Sequence, residues 1–158
     1  MITRIISAFP GTGKTYFCNK YGEKALDSDS SNFSWITHDS KKIRNPLFPA
    51  NYIEYIKKNI GKYEFIFVSS YKEVRQALKE NCLFFYLMYP NFDVVFKNEY
   101  IERYKNRNSS EDFVKLLSDN WYNWICECIL ETRCIRIELR FDYLEQEILD
   151  LIERENDK

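Results

Sequence analysis

Residues 8 to 15 read Ala-Phe-Pro-Gly-Thr-Gly-Lys-Thr, and the apolar residues Ile2, Ile5 and Ile6 directly upstream mark a buried strand that feeds into them. A strand, a glycine-bearing loop and a helix in that order predict a site for phosphate. Gly11 and Gly13 let backbone N–H groups turn inward around phosphate oxygens, Lys14 reaches the β- and γ-phosphates, and the Thr15 hydroxyl suits Mg²⁺. The helix expected over roughly Lys14 to Tyr21 adds the positive end of its dipole to the same place. The chain has 4 glycines, so two in one loop concentrate the signal; Gly22 and Gly61 fall where helix C-caps are expected.

Pro10, Gly11, Thr12, Gly13, Lys14 and Thr15 resemble the core of the Walker A motif of P-loop NTPases. One position departs from the full pattern, which has glycine where this chain has Ala8. A methyl group beside the turn is a mild steric change. The resemblance implies ATP and Mg²⁺ as ligands.

At 158 residues the chain is long enough for one domain with a substantial core, expected over 1–158. With 23 Lys+Arg against 24 Asp+Glu, no overall basic field draws it to nucleic acid or an anionic membrane, which leaves only a local basic groove for such a role. Cys18, Cys82, Cys126, Cys128 and Cys134 are odd in number and form no C-x-x-C pair, against both a disulfide framework and a zinc site. Reduced thiols, no secretory leader and no apolar run near the eighteen or so residues of a membrane span together predict a cytoplasmic location. Twelve Tyr, twelve Phe and three Trp suggest a core and pocket built from rings, or a compositional bias of the source genome.

Apolar runs alternate with helical patterns, the signature of β-α units around a parallel sheet. Strands are expected near 2–7, 24–27, 64–69, 83–88 and 134–139. The third and fourth are continuous apolar runs, as strands covered on both faces should be, whereas the last alternates Ile135, Ile137 and Leu139 with Arg136, Glu138 and Arg140 and reads as an edge. Helical periods run through Ile53, Ile56 and Ile60, through Phe113 to Cys128, and through Phe141 to Ile152. Trp121 and Trp124 share the stripe of the long helix and read as core. Residues 28–49 are the least structured stretch, a place for a substrate loop.

The second strand runs out into Asp27-Ser28-Asp29. Ligands of open α/β sheets bind beyond the carboxyl ends of strands, and alternation puts Asp27 and Asp29 on one side. One can hold a Mg²⁺ water and the other accept a proton from an acceptor hydroxyl; the alternative is turn chemistry. An Asp-x-Asp here resembles small P-loop kinases of the shikimate, gluconate and polynucleotide 5′-hydroxyl kinase kind, within the nucleoside monophosphate kinase-like group. That resemblance implies a three-layer α/β P-loop NTPase fold with a five-stranded parallel sheet of order 2-3-1-4-5. It also implies an arginine-bearing lid, which Arg103 and Arg107 match, four residues apart on one helix face.

The third strand ends in Ser69-Ser70, where many NTPases carry an acid, so a serine, a water or Asp27 must complete the metal shell. Arg44 and Arg75 are candidates to hold an acceptor phosphate. His38, the lone histidine, sits in a polar loop, which disfavours a histidine-based triad. The expectation is an ATP-dependent phosphotransferase with Lys14, Asp29, Arg103 and Arg107 catalytic, Thr15 and Asp27 at the metal, and Asp27, Asp29, Arg44 and Arg75 at a nucleotide or nucleoside-like acceptor. A kinase of polynucleotide or of modified bases in DNA, and a noncatalytic nucleotide-binding module, are the alternatives.

Overall fold

Residues 1–157 are described by a computed structural model. Its elements follow in the order β1 (Arg4–Ala8), α1 (Lys14–Tyr21), β2 (Ala25–Asp27), α2 (Ser31–Ser34), β3 (Trp35–His38), β4 (Lys41–Arg44), α3 (Ala50–Asn59), β5 (Phe65–Ser69), α4 (Lys72–Glu80), β6 (Tyr86–Tyr89), α5 (Val94–Asn106), α6 (Glu111–Ile129), β7 (Ile135–Glu138) and α7 (Leu144–Asn156). Five strands form one parallel sheet, β2-β5-β1-β6-β7. Counted among themselves in chain order, these strands stand as 2-3-1-4-5. The alternating strand β7 lies at an edge, as its pattern requires.

Side chains alternate across the sheet and divide the core in two. Ile5, Ile66, Val68, Phe85 and Leu87 point to one face, where α3, α4 and α6 bring Tyr52, Ile56, Leu78, Leu117 and Trp121. Ile6, Ala8, Phe65, Phe67 and Met88 point to the other, packed by Phe17 of α1 and by Leu144 and Ile148 of α7. Trp121 is fully buried and its indole N–H donates to the Phe92 carbonyl at 3.0 Å, so it is core, whereas Trp124 packs against that core only partly buried. Among the described residues no helix is long and apolar enough to cross a membrane.

Two stretches differ from the sequence reading. Residues 83–85 precede β6 instead of belonging to it. Residues 28–49, expected to be loop, contain the one-turn helix α2 and an antiparallel ribbon in which Trp35 pairs with Arg44 and His38 with Lys41. Asp39 and Ser40 both take positive φ (47° and 62°) at its tip, the mirror-image turn whose twist matches a two-residue hairpin. No apolar alternation announces these strands, because all eight of their residues are exposed.

Helix α4 is tied to the end of α6 by a buried ionic cluster. Arg75 Nε donates to Glu131 Oε2 at 2.7 Å, Lys79 Nζ donates to Glu131 Oε1 at 2.5 Å, and another Arg75 nitrogen donates to the Ser70 carbonyl. Burial pushes the Glu131 carboxyl up, but the hydrogen bonds from Lys79 and Arg75 outweigh it and draw it down to about 2. A carboxyl depressed on folding contributes stability above its unfolded pKa, and that stability is lost as pH falls through its folded value. Glu131→Gln is therefore expected to cost ~3 kcal/mol at neutral pH. In urea unfolding, the gap to wild type should close as pH falls from about 5 toward 2; a gap independent of pH would contradict this role.

Candidate functional site

The loop between β1 and α1 is fixed by hydrogen bonds to its carbonyls, two from within the loop and two from distant elements. The Ala8 carbonyl accepts from Lys14 Nζ at 3.2 Å, and that of Phe9 from the Thr12 hydroxyl at 2.8 Å. The Gly11 carbonyl accepts from Arg103 Nη1 at 2.8 Å, and that of Thr12 from the Leu144 N–H at 3.0 Å. With Gly11 at φ 83° and Gly13 at φ 96°, the peptide planes turn so that carbonyls face the protein. The first intrahelical bond of α1 runs from the Phe17 N–H to the Gly13 carbonyl, so Lys14, Thr15 and Tyr16 keep N–H groups with no intrahelical acceptor. Such groups at a positive helix end hold an anion.

These groups open on a cleft of about 310 Å³. Lys14, Thr15, Asp27 and Asp29 line it together, at the carboxyl ends of β1 and β2, as the sequence predicts. Thr15 Oγ1 donates to Asp27 Oδ2 at 2.9 Å. Asp29 accepts the Ser31 N–H on Oδ1 at 2.9 Å, so one of its oxygens serves the turn into α2 and the other stays with the cleft. Burial lowers the pKa of Lys14, and Asp27 and Asp29 oppose that and favour the charged ammonium. Burial also pushes the Cys18 thiol up to about 12, with Asp27 reinforcing it, which removes Cys18 as a nucleophile.

Serine hydroxyls complete the floor. Ser28 at the end of β2 and Ser69 at the end of β5 both line the cleft, and both hydroxyl oxygens are buried without a partner. Orphaned hydroxyls beside a cluster of Lys, Thr and Asp suit a ligand that brings its own donors and acceptors. The fully buried Tyr52 sets this end of the sheet by donating its hydroxyl to the Ser28 carbonyl at 2.8 Å. Among the described residues no group of three or more His, Cys, Asp or Glu gathers for a metal. Mg²⁺ needs none, since one carboxylate, a hydroxyl, waters and substrate phosphates suffice; Thr15 and Asp27 have that chemistry.

Three of the four arginines lie elsewhere than expected. Arg103 does not line the cleft: besides the Gly11 carbonyl it pairs with Glu99 at 2.9 Å and stands between the Tyr100 and Tyr143 rings, 4.4 and 4.2 Å from their centroids. It braces the loop from behind. Arg75 spends its fork on Ser70 and Glu131 and is 2 % exposed, so it holds the Ser70 carbonyl and is not free for an acceptor phosphate. Arg44 is paired with Glu73 and stacked on Phe48, outside the cleft wall. Only Arg107, just past α5, is exposed, has no carboxylate partner among the described residues, and lies over the Tyr104 ring at the rim. Burial pushes the Tyr104 hydroxyl up to about 12 against the pull of Arg107. His38 sits at the hairpin tip beside Asp39 and lines no part of the site.

No protein-family model matches the chain, and no curated protein matches it significantly. The site therefore rests on its own geometry.

The abundance of rings suggests an aromatic pocket, but not which rings form it. Tyr71, Tyr104 and Phe113 line the cleft, and Tyr100 and Tyr143 pack on the loop. In a chain so rich in rings, nothing in their spacing separates them from core. They make the loop intolerant of side chains: a Cβ on Gly11 would lie 2.9 Å from Tyr100 Cδ1 and 3.1 Å from Tyr104 Cε2. Gly11→Ala also forces a non-glycine residue to positive φ, so it should lower stability by ~1–3 kcal/mol in chemical denaturation. An unchanged midpoint would show that α5 is not packed against the loop.

Proposed function

We propose that the chain is an ATP-dependent phosphotransferase of P-loop kinase type, moving the γ-phosphoryl group of ATP to a hydroxyl or phosphate of a nucleoside, nucleotide or similar acceptor. The observation that carries this reading is the convergence of Lys14, the Thr15–Asp27 pair and Asp29 on one cleft at the mouth of a loop whose Gly11 and Thr12 carbonyls are held by Arg103 and the Leu144 N–H. The five-stranded order 2-3-1-4-5 is the one the resemblance implies, and five free cysteines among the described residues suit the cytoplasm.

The loop N–H groups and Lys14 hold the β- and γ-phosphates. Mg²⁺, when bound, supplies charge neutralisation between phosphate oxygens and would be held by Thr15 and Asp27. Asp29 accepts the proton of the acceptor hydroxyl through its cleft-facing oxygen. The acceptor oxygen forms the new O–P bond, the bond from the γ-phosphorus to the bridging oxygen breaks, and its electron pair leaves on ADP. Arg107, free at the rim, meets charge on the transferred group when the α5 segment closes.

Purified protein with labelled ATP, Mg²⁺ and a panel of nucleosides, nucleotides and oligonucleotides should label at least one acceptor. Lys14→Ala should abolish transfer and weaken ATP binding. Asp29→Asn should keep ATP binding while transfer falls by roughly a hundred- to ten-thousandfold, the range for a lost general base. If Asp29→Asn stays active and Asp27→Asn is dead, the two carboxylates exchange roles. ATP binding with no transfer to any acceptor would favour a noncatalytic nucleotide-binding module.

A further inference from the structure

The β3–β4 ribbon is the part of the molecule that the cleft does not explain. It hydrogen-bonds to no other strand, and all eight of its residues are exposed, although a two-stranded ribbon without a covered face is marginal by itself. Only its base is pinned: the Asn45 N–H donates to the Ser34 carbonyl at 2.9 Å, and the Asn45 and Asn51 amides donate to the Phe33 carbonyl at 2.9 and 3.0 Å. Holding such an element in place costs conformational entropy that no core burial offsets.

Register determines which residues share a face. Trp35 lies opposite Arg44 and Thr37 opposite Lys42, so these four project on one side, while Ile36, Ile43, His38 and Lys41 project on the other. On the first side the Trp35 indole, 40 % exposed, has Lys42 Nζ 5.3 Å and the Arg44 guanidinium 5.4 Å from its ring centroid. The ribbon carries Lys41, Lys42 and Arg44 against Asp39, and with Arg44 paired to Glu73 a small local excess of positive charge remains on Lys41 and Lys42.

This face continues from the mouth of the cleft. Residues 30–34 connect the cleft-lining Asp29 and Ser30 directly to Trp35, and Arg44 pairs with Glu73, two residues from the cleft-lining Tyr71. Tyr71 is within electrostatic reach of both Asp29 and Arg44, and beyond it a shallow, largely apolar groove runs over Lys72, Glu73 and Gln76, with Glu73 paired to Arg44. With the Arg44 guanidinium held by Glu73, the partly exposed indole and the neighbouring Lys42 ammonium suit a stacked base with a phosphate beside it. A peptide partner would need a larger apolar patch than one ring.

We infer that the β3–β4 ribbon is a binding platform for single-stranded polynucleotide, with a base stacked on Trp35 and the backbone phosphates on Lys42 and Lys72. Resting on the phosphotransferase reading for the fate of the strand, this would place the acceptor at the end of, or within, that strand, which enters the cleft past Tyr71. The ring and cations contact bases and phosphates and have no group aimed at a 2′-hydroxyl, so DNA and RNA strands should bind alike.

The test is equilibrium binding of a fluorescent single-stranded DNA oligonucleotide of about ten residues, and of its RNA counterpart, without ATP. Binding should weaken with salt with a logarithmic slope of about -1.4, the value for some two phosphate contacts on a single strand. Trp35→Ala should weaken it by about five- to a hundredfold, and Lys42→Ala should reduce the salt slope by about 0.7. Both variants should keep wild-type ATP affinity and thermal midpoint. Absence of oligonucleotide binding at low salt, or binding that neither variant alters, would overturn the inference while leaving the ATP site intact. Loss of the ATP site would instead show as failure of the protein to bind ATP, whatever the oligonucleotide does.

Discussion

Everything proposed for this protein depends on where four carbonyl groups point. The carbonyl oxygens of Ala8 and Phe9 accept from Lys14 Nζ and the Thr12 hydroxyl within the loop, and those of Gly11 and Thr12 accept from Arg103 and the Leu144 N–H outside it. A backbone whose acceptors are satisfied on one side presents its donors on the other. Two of the four donors come from distant parts of the chain, α5 and the start of α7, so the loop is set by tertiary structure as much as by its glycines. This explains why an arginine sits behind the loop in an aromatic slot, 4.4 and 4.2 Å from the Tyr100 and Tyr143 centroids.

The parallel sheet supplies the other half of the site. Because β1, β2 and β5 are adjacent and run the same way, their carboxyl ends bring Lys14, Asp27, Asp29 and Ser69 to one crevice although they are far apart in sequence. Tyr52 holds β2 at this end through the Ser28 carbonyl, and Arg75 holds the turn after β5 through the Ser70 carbonyl. The two unpartnered serine hydroxyls lie between these restraints. Rigid backbone with unsatisfied side chains is the arrangement expected where a ligand completes the hydrogen bonding.

The strand–loop–helix arrangement around Gly11 and Gly13, the central strands, the edge position of β7 and the placement of Asp27 and Asp29 at one cleft were legible because each follows from local spacing: glycines before a helix, apolar runs, alternation. The arginines were not, because the same four-residue spacing of Arg103 and Arg107 allows either the cleft or the back of the loop. What decided between them was the Gly11 carbonyl and the Tyr143 ring, which the chain brings up from elsewhere. Arg75 was hidden likewise, since nothing near it in sequence announces Glu131 as its partner. The ribbon escaped notice for the opposite reason: a strand exposed on both faces has no apolar period to detect, and Asp39-Ser40 is a weaker hairpin signal than a glycine-bearing turn.

The most direct test of the central claim is the response of the backbone amide resonances of Gly11, Gly13, Lys14 and Thr15 to Mg-ADP, followed by nitrogen–proton NMR on the isotopically labelled protein. If the outward carbonyls leave inward N–H groups that grip phosphate oxygens, these amides should shift downfield together and become protected from exchange at saturation, with Lys14→Ala weakening the effect. Unperturbed loop amides at millimolar Mg-ADP would contradict the account, because the one structural feature from which the site is built would then bind no phosphate.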